Sequence, residues 1–187
     1  MTRIQLPFET ERLMIRPLRV DDAEDLEQSE DWIREKVDRF ERDGGMSLRA
    51  VVDRLRSRAV ALAGLQWEQI DGRRELDLGC VVAATARSRG YATEASRAVV
   101  DAAFAAGYER ITAMTGFDNG PALRVLQKLG FSQQGETTFE GGRYAFFVKR
   151  PAAPDMLRGP RARRFAAERT RHVSVWEKPL EGSPATS

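Results

Sequence analysis

The octapeptide Arg87-Ser88-Arg89-Gly90-Tyr91-Ala92-Thr93-Glu94 connects a strand-like segment to a helical pattern. Residues 76–82 before it are mostly apolar, and residues 92–106 after it are rich in alanine. Where a strand ends in a short loop that opens into a helix, free backbone N–H groups and the positive end of the helix dipole point at one spot. Gly90 lets a ligand come close, and the two arginines add donors that suit phosphate oxygens. The octapeptide therefore predicts a site for a polyphosphate group.

The pattern Arg-x-x-Gly-x-Ala at residues 87–92 differs from the phosphate loops of nucleoside triphosphatases and of dinucleotide-binding folds. It resembles the pyrophosphate loop of the GNAT superfamily of acyl-CoA N-acyltransferases. Residues 10–18, Thr-Glu-Arg-Leu-Met-Ile-Arg-Pro-Leu, resemble the opening strand of its Rim-type branch, which acetylates ribosomal-protein N-termini. Residues 119–131, Asn-Gly-Pro-Ala-Leu-Arg-Val-Leu-Gln-Lys-Leu-Gly-Phe, resemble that branch's asparagine-started helix. The resemblance spans roughly residues 9–150, with its three segments in the family's order.

The resemblance implies an α/β (α+β) fold. It would be a GNAT-like mixed, mostly antiparallel sheet of about seven strands, with a splay between strands four and five and about four flanking helices. Residue patterns predict strands at 13–18, 47–53, 59–68, 75–82, 110–115, 131–138 and 144–149. Asp21-x-x-Glu24 predicts a short helix with Asp21 as its cap, and further helices are expected before Gly44, from Tyr91 to Ala106, and from Asn119 to Gly130.

We expect residues 1–150 to form the GNAT-like domain. Prolines, a glycine and arginines accumulate in the next segment, which predicts a Pro/Arg-rich insertion or linker at residues 151–171. Residues 172–180 contain the strand-like run Val-Ser-Val-Trp-Glu, which is either a last strand of the sheet or an arm on a partner subunit. Residues 181–187 are expected to be a disordered tail.

Composition narrows the class of protein. The 187 residues suit one domain, and the formal net charge of +2 gives no general preference for nucleic acid. A lone Cys80 and a single histidine argue against a disulfide framework and against a metal site. No apolar run reaches the ~18 residues of a membrane-spanning helix, and no signal peptide is evident. We expect a cytoplasmic protein with no membrane partner, either a monomer or a homodimer.

Acetyl-CoA is the acyl donor that the resemblance implies, with no metal. Its pantetheine arm would lie in the splay against the backbone of Val82, and its pyrophosphate would lie in the loop. The cofactor-binding residues would be Val82, Arg87, Ser88, Arg89, Gly90, Tyr91, Ala92, Thr93 and Asn119. The alternative for the loop is a surface turn without a ligand. Asn119 would contact the pantetheine arm or an active-site water, although an asparagine before Gly-Pro is also an ordinary helix cap.

Asp77 stands in Asp77-Leu78-Gly79, where the branch often has a Glu-Ile-Gly pattern on its fourth strand. The resemblance makes Asp77 the candidate general base, through water, beside the second catalytic candidate Asn119. A surface-facing strand aspartate is the alternative. The family's usual proton donors are absent, because its tyrosine position falls at Leu126 and its serine position at Ala122.

The function that follows is transfer of an acetyl group from acetyl-CoA directly to an amine, on a protein N-terminus or a small molecule. An α-amine has a pKa of about 8 and a lysine side chain one of about 10.4, so a site without a strong base suits weakly basic amines. The missing proton donors favour the alternative, a catalytically weak acyl-CoA-binding module for sensing or scaffolding. A third interpretation, a nucleic-acid contact by the arginine-rich tail, is the weakest because few aromatic residues accompany those arginines.

Overall fold

A computed structural model of the chain describes residues 8–152. Its eight strands form a single sheet in the order β1-β2-β3-β4-β5-β6-β8-β7, and its four α-helices lie along the chain between them. The strands are β1 Phe8–Glu9, β2 Leu13–Arg16, β3 Leu48–Asp53, β4 Arg58–Ile70, β5 Arg73–Val82, β6 Ile111–Thr115, β7 Ser132–Phe139 and β8 Gly142–Lys149. The helices are α1 Ala23–Leu26, α2 Glu30–Arg42, α3 Tyr91–Ala105 and α4 Gly120–Leu129.

The sheet opens between β5 and β6. On one side, β4 and β5 pair without interruption from Ala61↔Val82 to Ile70↔Arg73. On the other side, β5 and β6 run parallel and pair only at Asp77↔Thr112. The two strands diverge beyond that pair, which confirms the predicted splay between the fourth and fifth long strands.

Helices cover both faces of the sheet. One buried cluster joins α3 and α4 to one face, with Val99, Leu126 and Leu78 among its residues. A second cluster joins α1 and α2 to the other face, with Ile33 among its residues. Neighbouring side chains of a strand point to opposite faces. In β5, Leu76, Leu78 and Cys80 therefore face α3, and Asp77, Gly79 and Val81 face the side of α1 and α2.

The mixed, mostly antiparallel fold is confirmed, with two local corrections. The sheet has eight strands rather than about seven, because Phe8–Glu9 pairs with β2 at its edge. The cap prediction at Asp21 is wrong: a short turn at Val20–Asp22 precedes α1, and the Asp22 carboxylate accepts the N–H of Arg19, the residue before this turn, at 2.8 Å. Arg16 also donates to both Asp22 oxygens, at 2.8 and 2.6 Å, and this pair draws Asp22 toward β2.

The predictions for the C-terminal segments lie outside the described residues, except at Pro151 and Ala152. They concern the Pro/Arg-rich segment 151–171, the strand or arm at 172–180 and the tail 181–187. Within residues 8–152, no helix is long and apolar enough to cross a membrane.

Candidate functional site

A cleft of about 790 Å³ occupies the opening between β5 and β6. Its walls are the end of β5, the loop before α3, the strand β6 and the first turns of α4. Leu78 and Ala113, the residues that follow the single β5–β6 pair, both line it. The cleft therefore begins where the two strands lose contact, with Asp77 and Thr112 at its closed vertex.

Most of the residues predicted to bind a cofactor line this cleft. They are Val82, Arg87, Ser88, residues 90–93 and Asn119. Arg89 is exposed and is not part of the lining; its carbonyl oxygen accepts a hydrogen bond from Arg12 Nη1 at 3.1 Å. Asp77 also lies outside the lining, one residue before Leu78. Arg124 and Lys128 of α4 add further positive charge to the walls.

The loop before α3 has the backbone geometry of an anion site. Gly90, the residue before the helix, has φ of 82°, and Ser88 has φ of 61°. The first helical hydrogen bond runs from the Glu94 N–H to the Gly90 carbonyl at 3.1 Å. The N–H groups of Tyr91, Ala92 and Thr93 precede that bond and so have no partner within the helix. They could hold a phosphate group at the positive end of the helix dipole.

A cluster of polar contacts fixes the first turn of α3 against the N-terminal strands. Glu94 accepts hydrogen bonds from Thr10 Oγ1 at 2.5 Å, from the Arg12 backbone N–H at 3.1 Å and from Arg12 Nε at 2.7 Å. The Arg12 guanidinium also lies over the Tyr91 ring, 5.2 Å from its centroid. We call Thr10, Arg12 and Glu94 the α3 clamp. Because Arg12 also binds the Arg89 carbonyl, the clamp positions the loop as well as the helix.

Tyr91 is turned away from the chemistry of the cleft. Its hydroxyl donates to Asp53 Oδ2 at 2.5 Å, at the end of β3. This hydrogen bond, together with donors from Arg56 and the Leu55 backbone, holds the pKa of Asp53 at about 2. Tyr91 therefore anchors α3 to β3, and its hydroxyl is committed to a carboxylate.

Asp77 is a buried carboxyl group at the vertex of the splay. It is 8% exposed, and its Oδ1 accepts a hydrogen bond from Thr112 Oγ1 at 2.8 Å. Burial raises the pKa of Asp77 to about 7, and the charges of Glu68 and Glu75 add to the rise while the Thr112 hydrogen bond opposes it. A carboxyl group with this pKa exchanges protons near neutral pH.

Asn119, Cys80 and Ser96 are further polar side chains in the lining of the cleft. Asn119 caps α4, because its side chain accepts the Ala122 N–H at 3.2 Å. The positions that lack a proton donor, Ala122 and Leu126, both line the cleft. Burial raises the pKa of the Cys80 thiol to about 11, which disfavours the reactive thiolate. Ser96, one turn into α3, is fully buried and also lines the cleft.

The sequence did not predict the α3 clamp, although its three residues lie in two of the motifs, residues 10–18 and residues 87–94. The signal that could have found it is complementarity: a threonine and an arginine in one motif can donate hydrogen bonds to a glutamate in the other. Within the described residues, no three His, Cys, Asp or Glu side chains come together as a metal-binding group.

The model of the acetyltransferase (GNAT) domain family matches residues 12–132, well over half of the chain. The protein therefore belongs to the GNAT acetyltransferase family, and acetyl transfer is its general class of activity. No curated protein matches the sequence significantly.

Solved structures with the same fold are similar to this chain at low sequence identity. A putative GNAT-family acetyltransferase from Bordetella pertussis superposes with a TM-score of 0.66 at 20% identity, over 78% of this chain and 99% of that chain. The ribosomal-protein-S5-alanine acetyltransferase of Vibrio fischeri gives 0.63 at 16% identity, over 80% and 100%. The microcin C7 self-immunity acetyltransferase MccE, in complex with acetyl-CoA and AMP, gives 0.62 at 11% identity, over 75% and 93%. At these identities the likeness establishes the fold.

Proposed function

We propose that the protein transfers an acetyl group from acetyl-CoA directly to an amine. One observation supports this most: a single cleft extends from the loop before α3 to Leu78 and Ala113, which directly follow the β5–β6 pair where the buried Asp77 lies. The loop and α4 suit the phosphates of the acyl donor, and the narrow end of the cleft suits its thioester. The MccE structure, which has the same fold, contains acetyl-CoA.

The backbone N–H groups at the start of α3 and the side chain of Arg87 bind the pyrophosphate in this proposal. The free edge of β5 at Val82 lies beside the pantetheine arm. The Val82 carbonyl accepts a hydrogen bond from Arg87 Nε at 3.5 Å, and this bond joins the end of β5 to the loop. Asn119 caps α4 and contributes its side chain to the same wall.

Asp77 acts as the general base on the acceptor side. Its carboxylate takes a proton from the amine, directly or through one water, while the amine nitrogen forms its bond to the acetyl carbon. The carbon–sulfur bond breaks, and the leaving thiolate takes a proton from water. This last step uses water because Ala122 and Leu126 stand where the family has its usual donors.

The acceptor that best matches this base is a weakly basic amine. An α-amine has a pKa of about 8, close to that of Asp77, whereas a lysine side chain at about 10.4 holds its proton far more firmly. We therefore propose a protein or peptide N-terminal α-amine, or a small-molecule amine of similar basicity, as the acceptor class. A Rim-type N-terminal substrate is one member of this class.

A catalytically weak acyl-CoA-binding module remains the second candidate. The observation in its favour is the pair Ala122 and Leu126, which place two side chains without a transferable proton in the cleft wall. Turnover separates the two functions, because a binding module protects acetyl-CoA without consuming it.

The test is a turnover assay with three acceptors and purified protein. They are a peptide with a free N-terminal alanine, the same peptide with a blocked N-terminus and one lysine, and aniline. Release of free CoA thiol is followed, and the product mass must rise by one acetyl group. We expect turnover with the α-amine peptide or aniline and little with the lysine peptide. Turnover with the lysine peptide alone would contradict the acceptor class, and a lack of turnover with every acceptor would favour the binding module.

A further inference from the structure

Gln66 on β4 lies directly opposite Asp77 on β5. Residues opposite each other on antiparallel strands point to the same face, with Cβ atoms about 4.5–5.5 Å apart. The Gln66 side chain therefore shares the α1–α2 face with the Asp77 carboxyl group. Both residues border the vertex of the splay, because Asp77 makes the single β5–β6 pair.

The Gln66 side chain extends from that position toward the open part of the splay. A Cβ atom placed on Gly79 would lie 3.4 Å from Gln66 Nε2 and 2.8 Å from Leu48 Cδ2. The amide group thus lies over Gly79, two residues beyond Asp77 on the same face of β5. Val81, the next residue on this face, lines the cleft. The amide of Gln66 consequently lies near Gly79, between Asp77 and the cleft-lining residue Val81 on this face of β5.

This amide has an unused hydrogen-bond acceptor. Gln66 Oε1 is buried and has no hydrogen-bond partner among the described residues. A buried acceptor without a donor is costly, so such groups in native proteins usually receive a donor from protein, water or ligand. Asp77 presents further acceptor capacity beside it, because Thr112 occupies only Oδ1 in the described contacts. Two neighbouring acceptors without donors fit a ligand that offers two N–H groups.

We infer that Gln66 Oε1 and the Asp77 carboxylate together bind the two N–H groups of a primary acceptor amine. This inference rests on the proposed acetyl transfer. A neutral primary amine has two N–H groups and one lone pair. With one N–H on Asp77 and the other on Gln66, the lone pair is left to attack the acetyl carbon. Gln66 is then a substrate-binding residue that selects primary over secondary amines, because a secondary amine has only the N–H that Asp77 needs.

The test compares two acceptor peptides that differ by one methyl group, one starting with alanine and one starting with N-methylalanine. Gln66→Met replaces the amide by an apolar side chain of similar size. We expect it to lower kcat/KM for the alanine peptide by about three- to tenfold, the value of one hydrogen bond. The same variant should change kcat/KM for the N-methylalanine peptide little, so that the preference for the primary amine falls.

Two further variants separate substrate binding from a structural role. Gln69→Met alters an exposed glutamine on the same strand and should keep the wild-type preference. Gln66→Glu keeps an acceptor oxygen at the same reach and should also keep the preference, while its charge raises the pKa of Asp77 and moves the pH limb of kcat/KM upward. The KM for acetyl-CoA should stay unchanged in all three variants, which reports an intact fold at the other end of the cleft.

Two results with a folded Gln66→Met protein would overturn the inference. Equal losses for both peptides in Gln66→Met would assign Gln66 a structural role only, and unchanged kinetics would assign it none. If the Gln66→Met protein does not fold, Gln66→Glu provides the test. Loss of the preference for the primary amine in that variant would contradict the inference. If the wild-type protein acetylates neither peptide nor any other amine, the proposed function itself fails, and the role of Gln66 falls with it.

Discussion

The carboxyl group of Asp77 has lost most of its contact with water without gaining a cation among the described residues. Burial raises its pKa to about 7, and Glu68 and Glu75 raise it further by their charge. Both of these glutamates are paired with arginines, Glu68 with Arg39 at 2.9 Å and Glu75 with Arg110 at 2.9 Å. The environment of Asp77 thus favours its neutral form below about pH 7, as suits a group that must exchange a proton near neutrality.

Asp77→Asn should abolish the base without disturbing the vertex, because asparagine keeps an oxygen that can accept the Thr112 hydrogen bond. In the wild type, kcat/KM for aniline, an acceptor that is uncharged near neutral pH, should rise with pH through an apparent pKa near 7, as Asp77 ionises. The variant should lose this limb, and its kcat should fall about a hundredfold or more, the usual value of a general base. A pH–rate series with both proteins measures this; a variant with full activity and the same limb would remove Asp77 from catalysis.

Stability should move in the opposite direction in the same variant. The folded-state pKa of Asp77, about 7, is raised above the unfolded value of about 4. The stability that neutral Asp77 contributes is present below about pH 4 and is lost by about pH 7. Asp77→Asn should therefore raise Tm relative to wild type above neutrality, with a smaller difference in acid. Reduced activity together with raised Tm is the signature of a catalytic group rather than a structural one.

The sequence singled out Asp77 as a candidate base but gave no sign of its structural partners. Position 77 matched a motif, whereas its pKa is raised mainly by burial in the folded sheet and lowered by Thr112, which is far away in the chain and pairs with Asp77 between β5 and β6. Gln66 was missed for the same reason, since the register of β4 and β5 places it opposite Asp77. The cap at Asp21 was predicted wrongly because the pattern Asp21-x-x-Glu24 is local, whereas Arg16 and the Arg19 N–H bind the Asp22 carboxylate in the folded chain.

At the level of elements, α3 begins where the N-terminal strands hold it. Glu94 in its first turn receives three hydrogen bonds from Thr10 and Arg12, and the closest Arg12–Glu94 approach is 2.6 Å. Arg12 also lies close to Gly90, where an added Cβ would meet its Nη2 at 3.4 Å. The N-terminal motif therefore positions the loop before α3 through the α3 clamp, from outside the cleft.

Glu94→Gln should weaken acetyl-CoA binding without slowing the chemical step. The substitution removes the charge that fixes Arg12, while the new amide side chain can still accept one hydrogen bond, so the loop becomes less well positioned. We expect Kd for acetyl-CoA to rise about three- to tenfold, for a loss of roughly 1 kcal/mol, with kcat little changed. Titration calorimetry and steady-state kinetics measure the two quantities.

Glu136→Gln is the matched control for this variant. It breaks the ion pair between Glu136 and Arg143 on the β7–β8 hairpin, where both side chains are at least half exposed. Its acetyl-CoA Kd should equal that of wild type. A Glu94→Gln protein with wild-type Kd would show that the clamp stabilises the fold without positioning the loop.

Most elements were predictable because each has its own local signal. Apolar alternation indicated the long strands, and glycines at positive φ, such as Gly130 with φ of 76°, marked the helix ends. The two-residue strand Phe8–Glu9 was missed because two residues show no periodicity. The α3 clamp was missed because Thr10 and Arg12 are far from Glu94 in the chain. The folded sheet brings these two segments together, and no local pattern in the sequence indicates the contact.

At the scale of the whole molecule, the splay joins two different environments. The α3–α4 face provides the loop and helix ends that suit an anionic acyl donor. The α1–α2 face provides Asp77 and Gln66, which suit an N–H donor. Within residues 8–152, the gap between β5 and β6 lies where these two environments meet, so the proposed reaction would bring donor and acceptor together from opposite faces of the sheet. This gap was predicted by family resemblance alone, because no residue pattern along one strand reveals where its neighbour diverges.

The measurement that tests the central claim most directly is thermal unfolding with and without saturating acetyl-CoA, in wild type and two charge-reversed variants. Arg87→Glu places a carboxylate in the cleft lining, and Arg73→Glu makes the same change of charge at the exposed start of β5. At a hundredfold excess over Kd, binding adds about 2.7 kcal/mol, a rise of several degrees in Tm for a chain of this size. We expect that rise in wild type and Arg73→Glu, and little or none in Arg87→Glu. No rise in wild type, or an equal rise in all three proteins, would contradict acetyl-CoA binding in this cleft.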